Sequence, residues 1–466
     1  MNSGSVESGR HDRTLDYTDG TKPEVAAGIG VGVECASTAV GQVATLSALN
    51  MLVRSHPEVI LAIPDVPLRV PSPTGGTTLS EACRALATAI DSQVTITEVQ
   101  QLPTRVLSIG IGPDAGPAFV YAGGLGWTAT TSNDPLEVGP QASSLLGLSM
   151  AVALGVGAIF RSAIGLPAEL DRSVSLWKFT ETHEATGPDA CGPVDVGTTW
   201  MIGAGAVGSG LAWWLHFVGA VGTWTVIDGD EVESSNLNRS LGLFAADVGL
   251  EGGRPAAKAS AAASLIGGSD PQPKWWDDWA ATDPPSPDVL LPLANDYGVR
   301  SKVAAYSHPA IIHSTTSRDW TAELHTHLSD RDDCMACRFP EDTPQFACAT
   351  APVGQGLIDG SGTKKDASLP FLSGAAGLLL LAGLLQLQHG VLVAHQMNHW
   401  IVAFDQRSRV VRGVRWTSTK GCVGTASPNV RRLLHGTTRW RSLDPDGSGS
   451  NPTTAPIESI AKREAF

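Results

Sequence analysis

The stretch Thr199 to Gly208, with the sequence TWMIGAGAVG, joins a short apolar strand to a helical run through a glycine-rich loop. Glycines in such a loop let the backbone approach phosphates, and the N-terminus of the following helix adds the positive end of its dipole. A second buried strand, 223–227, ends at Asp228, where a carboxylate can accept hydrogen bonds from ribose hydroxyls. This βαβ opening predicts an α/β nucleotide-binding fold, with an NAD site and a mononucleotide site both open. The loop positions that would contact the nucleotide are Gly203, Gly205, Ala206 and Gly208.

Length and charge limit the remaining possibilities. The 466 residues suggest about three domains or two large ones, enough to bury cores without disulfide or metal cross-links. Because 32 Lys and Arg stand against 46 Asp and Glu, the net charge is −14, and there is no basic run. An acidic chain repels phosphate backbones, so we expect no nucleic-acid partner and no anionic-membrane partner.

The cysteines and the apolar segments bear on location. Seven cysteines, an odd number scattered over a long chain, do not form a secreted disulfide framework, so we expect a reducing, cytoplasmic setting. The segments 142–160 and 369–387 are uncharged and approach the length of a membrane span. Both are rich in Gly and Ala and lack flanking Lys or Arg clusters, so we interpret them as buried helices.

The two halves of the chain show a similar order of elements. The second half has strands at 288–293, 310–316, 322–328, 399–405 and 410–416 and a helix at 370–387, and the first half has helices at 39–55 and 142–161 and strands at 59–63, 105–111 and 118–130. The glycines 28, 30 and 32 miss the spacing of a phosphate loop. We therefore interpret the first half as a degenerate copy of the second. The predicted boundaries are a disordered tail (1–24), the degenerate domain (25–166), a linker (167–197), the active domain (198–435) and a polar C-terminal tail (436–466).

A signature follows the second strand. Asp228-Gly-Asp230-Glu-Val runs into Ser235-Asn-Leu-Asn-Arg239, and this string resembles the ThiF/MoeB/ubiquitin-activating enzyme superfamily over roughly residues 198–425. An NAD enzyme has no use for two amides and a guanidinium directly after the ribose carboxylate, whereas an adenylating enzyme needs donors around an attacked α-phosphate. The resemblance implies an α/β fold with two Rossmann-like adenylation domains, the first degenerate and the second active, forming an intramolecular pseudo-dimer.

The same resemblance assigns the site and its cofactors, ATP and Mg²⁺. Lys258 is similar to the family's phosphate lysine, but it stands two residues further from the Gly-x-Pro at 253–255 than usual, so Arg254 remains an alternative. Asp296, after an apolar strand, matches the aspartate associated with Mg²⁺ and adenylation. The catalytic residues implied are Arg239, Lys258, Asp296 and Cys348. The implied nucleotide contacts beyond the glycine loop are Asp228, Asp230, Ser235, Asn236, Asn238, Arg239, Lys258 and Asp296.

The cysteines of the second half carry two further expectations. Cys334 and Cys337, in a CxxC-x-F-P segment, are similar to half of the family's structural zinc site. The second half of that site is reduced to Cys422, because Thr425 cannot replace a thiolate, so Zn²⁺ is a candidate cofactor only. His325 and His327 are predicted to be ordinary strand residues. Cys348, at the start of the crossover loop 341–368, is either a thioester nucleophile or a buried filler.

The function implied is adenylation of the C-terminal carboxylate of a small ubiquitin-like protein, with thioester formation on Cys348 as a candidate second step. The two-half arrangement points by analogy to ubiquitin-like conjugation with an E2-like conjugating partner, including bacterial systems of the antiviral-defence kind. A sulfur-carrier protein is the alternative substrate, and a homodimer is a candidate assembly. A non-catalytic nucleotide-binding scaffold is the alternative from another class, indicated by the shifted lysine and the broken cysteine set.

Overall fold

The computed structural model of the protein describes residues 11–18, 20–136, 144–188, 192–249, 253–294, 297–304, 310–328, 331–338, 368–405 and 409–417. Within these ranges the chain forms two mixed sheets with helices packed between and around them. Three site or metal candidates lie outside the described residues: Asp296, Cys348 and Cys422.

The first sheet has seven strands in the order β3-β2-β1-β4-β5-β6-β7. Neighbours from β3 through to β5 run parallel, and β6 and β7 continue antiparallel. The strands are β1 (Ala27–Val31), β2 (Glu58–Ala62), β3 (Thr95–Glu98), β4 (Leu107–Ile111), β5 (Val120–Leu125), β6 (Thr128–Ser132) and β7 (Arg172–Ser175).

The second sheet has eight strands in the order β10-β9-β8-β11-β12-β13-β14-β15. Its parallel part runs from β10 to β12, and the last three strands are antiparallel, so the first seven positions repeat the topology of the first sheet. The strands are β8 (Val194–Ile202), β9 (Ala220–Ile227), β10 (Asp270–Gln272), β11 (Val289–Pro292), β12 (Ala310–Ser317), β13 (Thr321–Leu328), β14 (His399–Ala403) and β15 (Val411–Val414). The sheets are Rossmann-like, as the βαβ opening predicts.

The helices complete both halves. They are α1 (Asp12–Tyr17), α2 (Val33–Ala36), α3 (Ala39–Val53), α4 (Leu79–Ile90), α5 (Leu146–Ala163), α6 (Ala206–Val218), α7 (Lys258–Leu265), α8 (Trp276–Ala280), α9 (Tyr297–Ala304), α10 (Met335–Arg338) and α11 (Pro370–Gln388).

The long apolar helices α5 and α11 lie in the interior, where one continuous core joins the halves. Both are long and apolar enough to cross a membrane, but nearly every residue of each is covered by protein, which confirms the interpretation as buried helices. Their glycines allow close helix contact: a Cβ at Gly377 of α11 would lie 2.6 Å from the Gly210 carbonyl carbon of α6. A helix buried on all sides needs no polar face, which explains its missing amphipathic period.

Some boundaries differ from those predicted. Within the predicted disordered tail, α1 packs against the second half, where the Tyr17 hydroxyl donates to the Ser317 carbonyl at 2.6 Å. The predicted linker contains β7 of the first sheet and the start of β8. The single strand predicted over 118–130 is a hairpin of β5 and β6, because Gly126 at φ +60° turns the chain.

Candidate functional site

The glycine loop lies between β8 and α6, as the sequence predicts. Gly203 has φ +102°, and a Cβ there would lie 2.5 Å from the Ala294 amide nitrogen, so only glycine fits. Gly205 precedes α6, and among the described residues no atom lies within 4 Å of a Cβ built on it. Within the described part of the chain, the space beside Gly205 at the N-terminus of α6 is therefore unfilled, as an anion site at a helix N-terminus requires.

Asp228 ties this loop to the end of β9. Its carboxylate accepts hydrogen bonds from the amide nitrogens of Ala204, at 2.6 Å, and Asp230, at 2.9 Å. Burial raises the pKa of Asp228, against these hydrogen bonds and the positive charge of Lys258, which lower it. Each carboxylate oxygen has two lone pairs, so the backbone bonds orient the group and leave capacity for ribose hydroxyls.

Lys258 is the first residue of α7, and its ammonium nitrogen lies 2.7 Å from the Asp230 carboxylate. The segments 230–232 and 256–258 are joined by two backbone hydrogen bonds, which place Lys258 beside the end of β9. The Lys258 side chain is 11% exposed, whereas Arg254 is exposed to solvent. Of the two alternative cations, the structure thus brings Lys258 together with Asp228 and Asp230.

The signature turn after β9 is held by its own side chains. The Asn236 side-chain oxygen accepts from the Glu233 amide at 2.8 Å, and the buried Arg239 guanidinium donates to the Ser235 carbonyl at 2.5 Å. Arg239 also donates to the Asn238 side-chain oxygen at 3.0 Å. Leu237 of this turn packs in one apolar cluster with Ala261 of α7, so turn and lysine helix form one unit.

Two residues of the first half hold this turn, and sequence reasoning missed both. Arg54, fully buried at the end of α3, donates to the carbonyls of Leu237, Leu241 and Leu243 at 2.5 to 3.1 Å. Thr14 of α1 accepts a hydrogen bond from the Asn238 side-chain amide at 2.9 Å. A signal existed for Arg54, because it is the one charged residue within 39–55 of an otherwise uncharged helical run.

The corresponding place in the first half is filled by its own chain. The short helix α2 lies between β1 and α3, and a Cβ at Gly41 would collide with the Cys35 carbonyl. The N-terminus of α3 is capped locally, since the Thr38 hydroxyl accepts from the Gly41 amide at 3.0 Å. Cys35 is buried against Gly112, so the described residues leave no open space in front of α3 comparable to that in front of α6.

Cys334 and Cys337 have the geometry of half a zinc site. Their sulfurs lie 3.5 Å apart, and the Cys337 amide points to the Cys334 sulfur at 3.4 Å. A tetrahedral Zn²⁺ with bonds of about 2.3 Å holds two sulfurs about 3.8 Å apart, so the pair fits the metal with little movement. The third candidate, Cys422, lies outside the described residues.

A second group, Glu323 with His325 and His399, has ligand atoms close enough together for a metal site. The ring nitrogens that would bind the metal, however, carry protons. Arg338 and Trp416, which can only donate, lie 2.9 and 3.1 Å from Nδ1 of His325 and His399. Each neutral ring therefore carries its proton on Nε2, the atom that faces Glu323. Burial alone would raise the pKa of Glu323, but hydrogen bonds from both histidines lower it. The group is a hydrogen-bonded network, and His325 and His327 lie in β13 as strand residues.

Comparisons with known proteins agree with the signature. Residues 26–177 match the family described as BilD N-terminal domain, and residues 195–274 match the ThiF family. The uncharacterized protein y4jF of Sinorhizobium fredii (strain NBRC 101917 / NGR234) is 29% identical over 245 residues, which are 50% of this chain and 45% of the relative. The chain thus covers less than half the length of that protein.

Among solved structures, the chain is similar to E. coli MccB with ATP, at 16% identity and a TM-score of 0.36 over 49% of this chain and 65% of that one. MccB in complex with N-formylated MccA is 14% identical, with a TM-score of 0.35 over 49% of this chain and 67% of that one. PaaA is 16% identical, with a TM-score of 0.32 over 47% of this chain and 64% of that one. Scores this low leave the fold to be established from the strand order itself. The part of the chain that matches the ThiF family, residues 195–274, contains the glycine loop, Asp228 and the signature turn, so this region is similar to the ThiF superfamily.

Proposed function

We propose that the second half of the chain adenylates the C-terminal carboxylate of a small protein at the expense of ATP. One observation carries this proposal: the open N-terminus of α6 lies beside a connected group of Asp228, Asp230 and Lys258, next to the signature turn. The glycine loop and the two aspartates follow the carboxyl ends of the neighbouring parallel strands β8 and β9, where nucleotides bind in open α/β sheets, and backbone hydrogen bonds bring Lys258 beside them.

In the reaction a carboxylate oxygen attacks the α-phosphorus of ATP, the bond from that phosphorus to the bridging oxygen breaks, and pyrophosphate leaves. The product is an acyl-adenylate, a mixed anhydride. Lys258 must exchange part of its contact with Asp230 for a phosphate oxygen, and Arg239 supplies a second cation from the signature turn. Asp296 is the residue we assign to Mg²⁺, which would neutralise charge on the phosphates.

We assign a supporting role to the first half. Its own α2 occupies the space that an anion would need in front of α3, so we expect one nucleotide site per chain. Its contribution is the contact of Arg54 and Thr14 with the turn of the second half. The repeated strand order and the shared core support the interpretation as an intramolecular pseudo-dimer with one degenerate domain.

The substrate we propose is a ubiquitin-like protein in a cytoplasmic conjugation pathway. The Cys348 thiolate attacks the acyl carbon of the adenylate, the mixed anhydride bond breaks, AMP leaves, and the resulting thioester passes its acyl group to an E2-like enzyme. A sulfur-carrier protein would enter by the same adenylation and differ in the fate of the adenylate. The only feature from which we infer a bacterial antiviral role is the arrangement of the chain in two halves.

Exchange of labelled pyrophosphate into ATP, measured on the full chain with candidate carrier proteins, tests the adenylation. We expect carrier-dependent exchange in the native protein and a loss of at least about 100-fold in Lys258→Ala and Asp296→Ala. Full exchange in Asp296→Ala would contradict the assignment of that residue. A protein that binds ATP without exchange would be a scaffold, and one that binds NADH would be an oxidoreductase.

The thioester step has its own test. The adenylation reaction is run with native protein, Cys348→Ala and the matched control Cys83→Ala, and the products are separated on non-reducing gels. We expect a carrier adduct, cleaved by thiols, in the native protein and in Cys83→Ala only. An adduct that persists in Cys348→Ala would assign the thioester to another cysteine, and pyrophosphate exchange without any adduct would favour sulfur-carrier activation.

A further inference from the structure

Trp275 is 60% exposed and lies directly beside the proposed nucleotide site. A Cβ at Gly229 would fall 2.6 to 2.9 Å from three atoms of its indole, so the ring lies against that glycine. Gly229 stands between Asp228 and Asp230, the two carboxylates of the site. A large aromatic ring left exposed at this place has no role in the adenylation chemistry described above.

The indole is held in position by its neighbours. Trp275 is the residue before α8, and the next residue of that helix, Trp276, is buried against Trp200 with ring centroids 6.2 Å apart. Trp279 packs against the same Trp200 ring at 5.8 Å. These two aromatic contacts hold the short helix in place, so the position of Trp275 at its start is preorganised.

The direction of the nucleotide follows from the order of the strands. Phosphates belong at the loop after β8 and the ribose at Asp228 after β9, so the base must extend towards β10, the next strand of the sheet. β10 pairs with β9 in the register Gln272 to Ile227, which brings the end of β10 level with Asp228. Trp275 follows β10 by three residues and therefore stands where the base would lie.

We propose that the Trp275 indole stacks on the adenine ring of ATP and supplies much of the affinity for the nucleoside part of the substrate. This inference rests on the proposed function. Every purine has a π-face, so the ring contributes binding rather than base discrimination. Contact of the indole with one face of the adenine ring would shield both rings from water, and the exposed fraction of Trp275 would fall.

The experiment compares two ligands on the full chain by calorimetry: ATP with Mg²⁺, and inorganic tripolyphosphate with Mg²⁺. For Trp275→Ala we expect ATP affinity to fall about 10-fold, since stacking on an aromatic side chain contributes substantially to base binding, while tripolyphosphate affinity is unchanged. Trp275→Phe should retain most of the ATP affinity. Trp416→Ala, which removes a 44% exposed tryptophan beyond the opposite edge strand β15, is the matched control and should behave as the native protein.

The outcomes separate this inference from the proposed function. If the native protein does not bind ATP, both fall. If it binds ATP and Trp275→Ala binds it equally well, the stacking is overturned and the adenylation proposal stands. If Trp275→Ala loses ATP and tripolyphosphate alike, the residue has only a structural role, and the inference also fails. Unchanged ATP affinity with lost carrier-dependent exchange would make Trp275 a protein-docking residue and overturn it too.

Discussion

Lys258 and Arg254 differ in surroundings although they stand four positions apart in the chain. Lys258 is nearly buried and paired with Asp230, whereas Arg254 is exposed. Under the proposed function, an ammonium group held at Asp230 has a fixed position from which to contact phosphates, whereas a solvated guanidinium outside the cluster has none. We expect Lys258→Ala to lower the rate of pyrophosphate exchange by at least about 100-fold and Arg254→Ala to change it less than about threefold.

The control for this comparison is Lys302→Ala, which removes an exposed ion pair with Asp277 and should leave the exchange rate unchanged. The reverse order of effects, with Arg254→Ala the more damaging, would show that the arginine has replaced the lysine. Equal losses in both variants would mean that each cation contacts the triphosphate.

Cys35 and Cys83 are the two described cysteines of the first half, and both are buried. Burial raises the pKa of Cys35 to about 12, and that of Cys83 likewise to about 12. Since the thiolate is the reactive form, we expect neither to be alkylated by iodoacetamide at pH 8 until denaturant is added. Peptide mass spectrometry after a timed reaction checks this, and rapid labelling of Cys35 in native buffer would show that α2 opens.

At the scale of elements, α3 of the first half and the signature turn of the second are joined by one side chain. Arg54→Met removes the donors to the buried carbonyls of Leu237 and Leu243 and one of two donors to the Leu241 carbonyl, which keeps its bond from the Asn50 amide. A buried carbonyl without a donor costs about 1–3 kcal/mol, so we expect a marked loss in the free energy of unfolding. Urea denaturation measures it, with the exposed Arg105→Met as the control.

The same variant separates positioning from stability. Well below its melting temperature, we expect Arg54→Met to reduce the rate of pyrophosphate exchange because the turn that carries Arg239 loses its support. Normal exchange by the folded variant would show that Arg54 acts on stability alone.

Some elements could be predicted and others could not, for physical reasons. The chain predicts α6, α11 and the second part of β9 because each is a mainly apolar run bounded by glycine, proline or an acidic residue. It also carried a usable signal for α4, where Thr78 and Glu81 form a capping box. The sequence carried no signal that α2 fills the space in front of α3, because this depends on how Cys35 packs against Gly41 and Gly112 in three dimensions.

In the molecule as a whole, several histidines are buried and neutral. Burial lowers the pKa of His56 to about 4, although a hydrogen bond with the Val25 carbonyl raises it, and burial lowers the pKa of His313 and His327 as well. In the unfolded chain these rings titrate near about 6.5. Between pH 6.5 and 4 the unfolded state therefore binds more protons, so the free energy of unfolding must fall as the pH is lowered through that window.

We expect the stability that His56 contributes to be fully present above about pH 6.5 and to be lost towards pH 4, by about 3 kcal/mol at most. Urea denaturation at pH 7.5, 6 and 5 measures how the free energy of unfolding changes with pH. Below pH 6.5, His56→Gln should reduce this dependence by the contribution of one titrating proton. A variant with the native slope would mean that His56 is protonated in the folded protein.

The candidate site was predictable as far as it is local in sequence. The loop at Gly203, the carboxylate of Asp228 and the turn ending at Arg239 lie within 37 positions and carry recognisable spacing. Lys258 was predicted with Arg254 as an alternative, and in the structure it is Lys258 that pairs with Asp230. The contributions of Arg54 and Thr14 could not be predicted, because they act across 183 and 224 residues through the packing of one half on the other.

The position of α1 constrains the order in which this protein can fold during its synthesis. A polypeptide leaves the ribosome amino end first, so α1 emerges 300 residues before Ser317, the carbonyl that its Tyr17 hydroxyl contacts. The turn with Asn238, which contacts Thr14 of the same helix, emerges earlier, so α1 has one of its two partners before the other is translated. The amino-terminal helix therefore cannot reach its full set of contacts before residue 317 has left the ribosome.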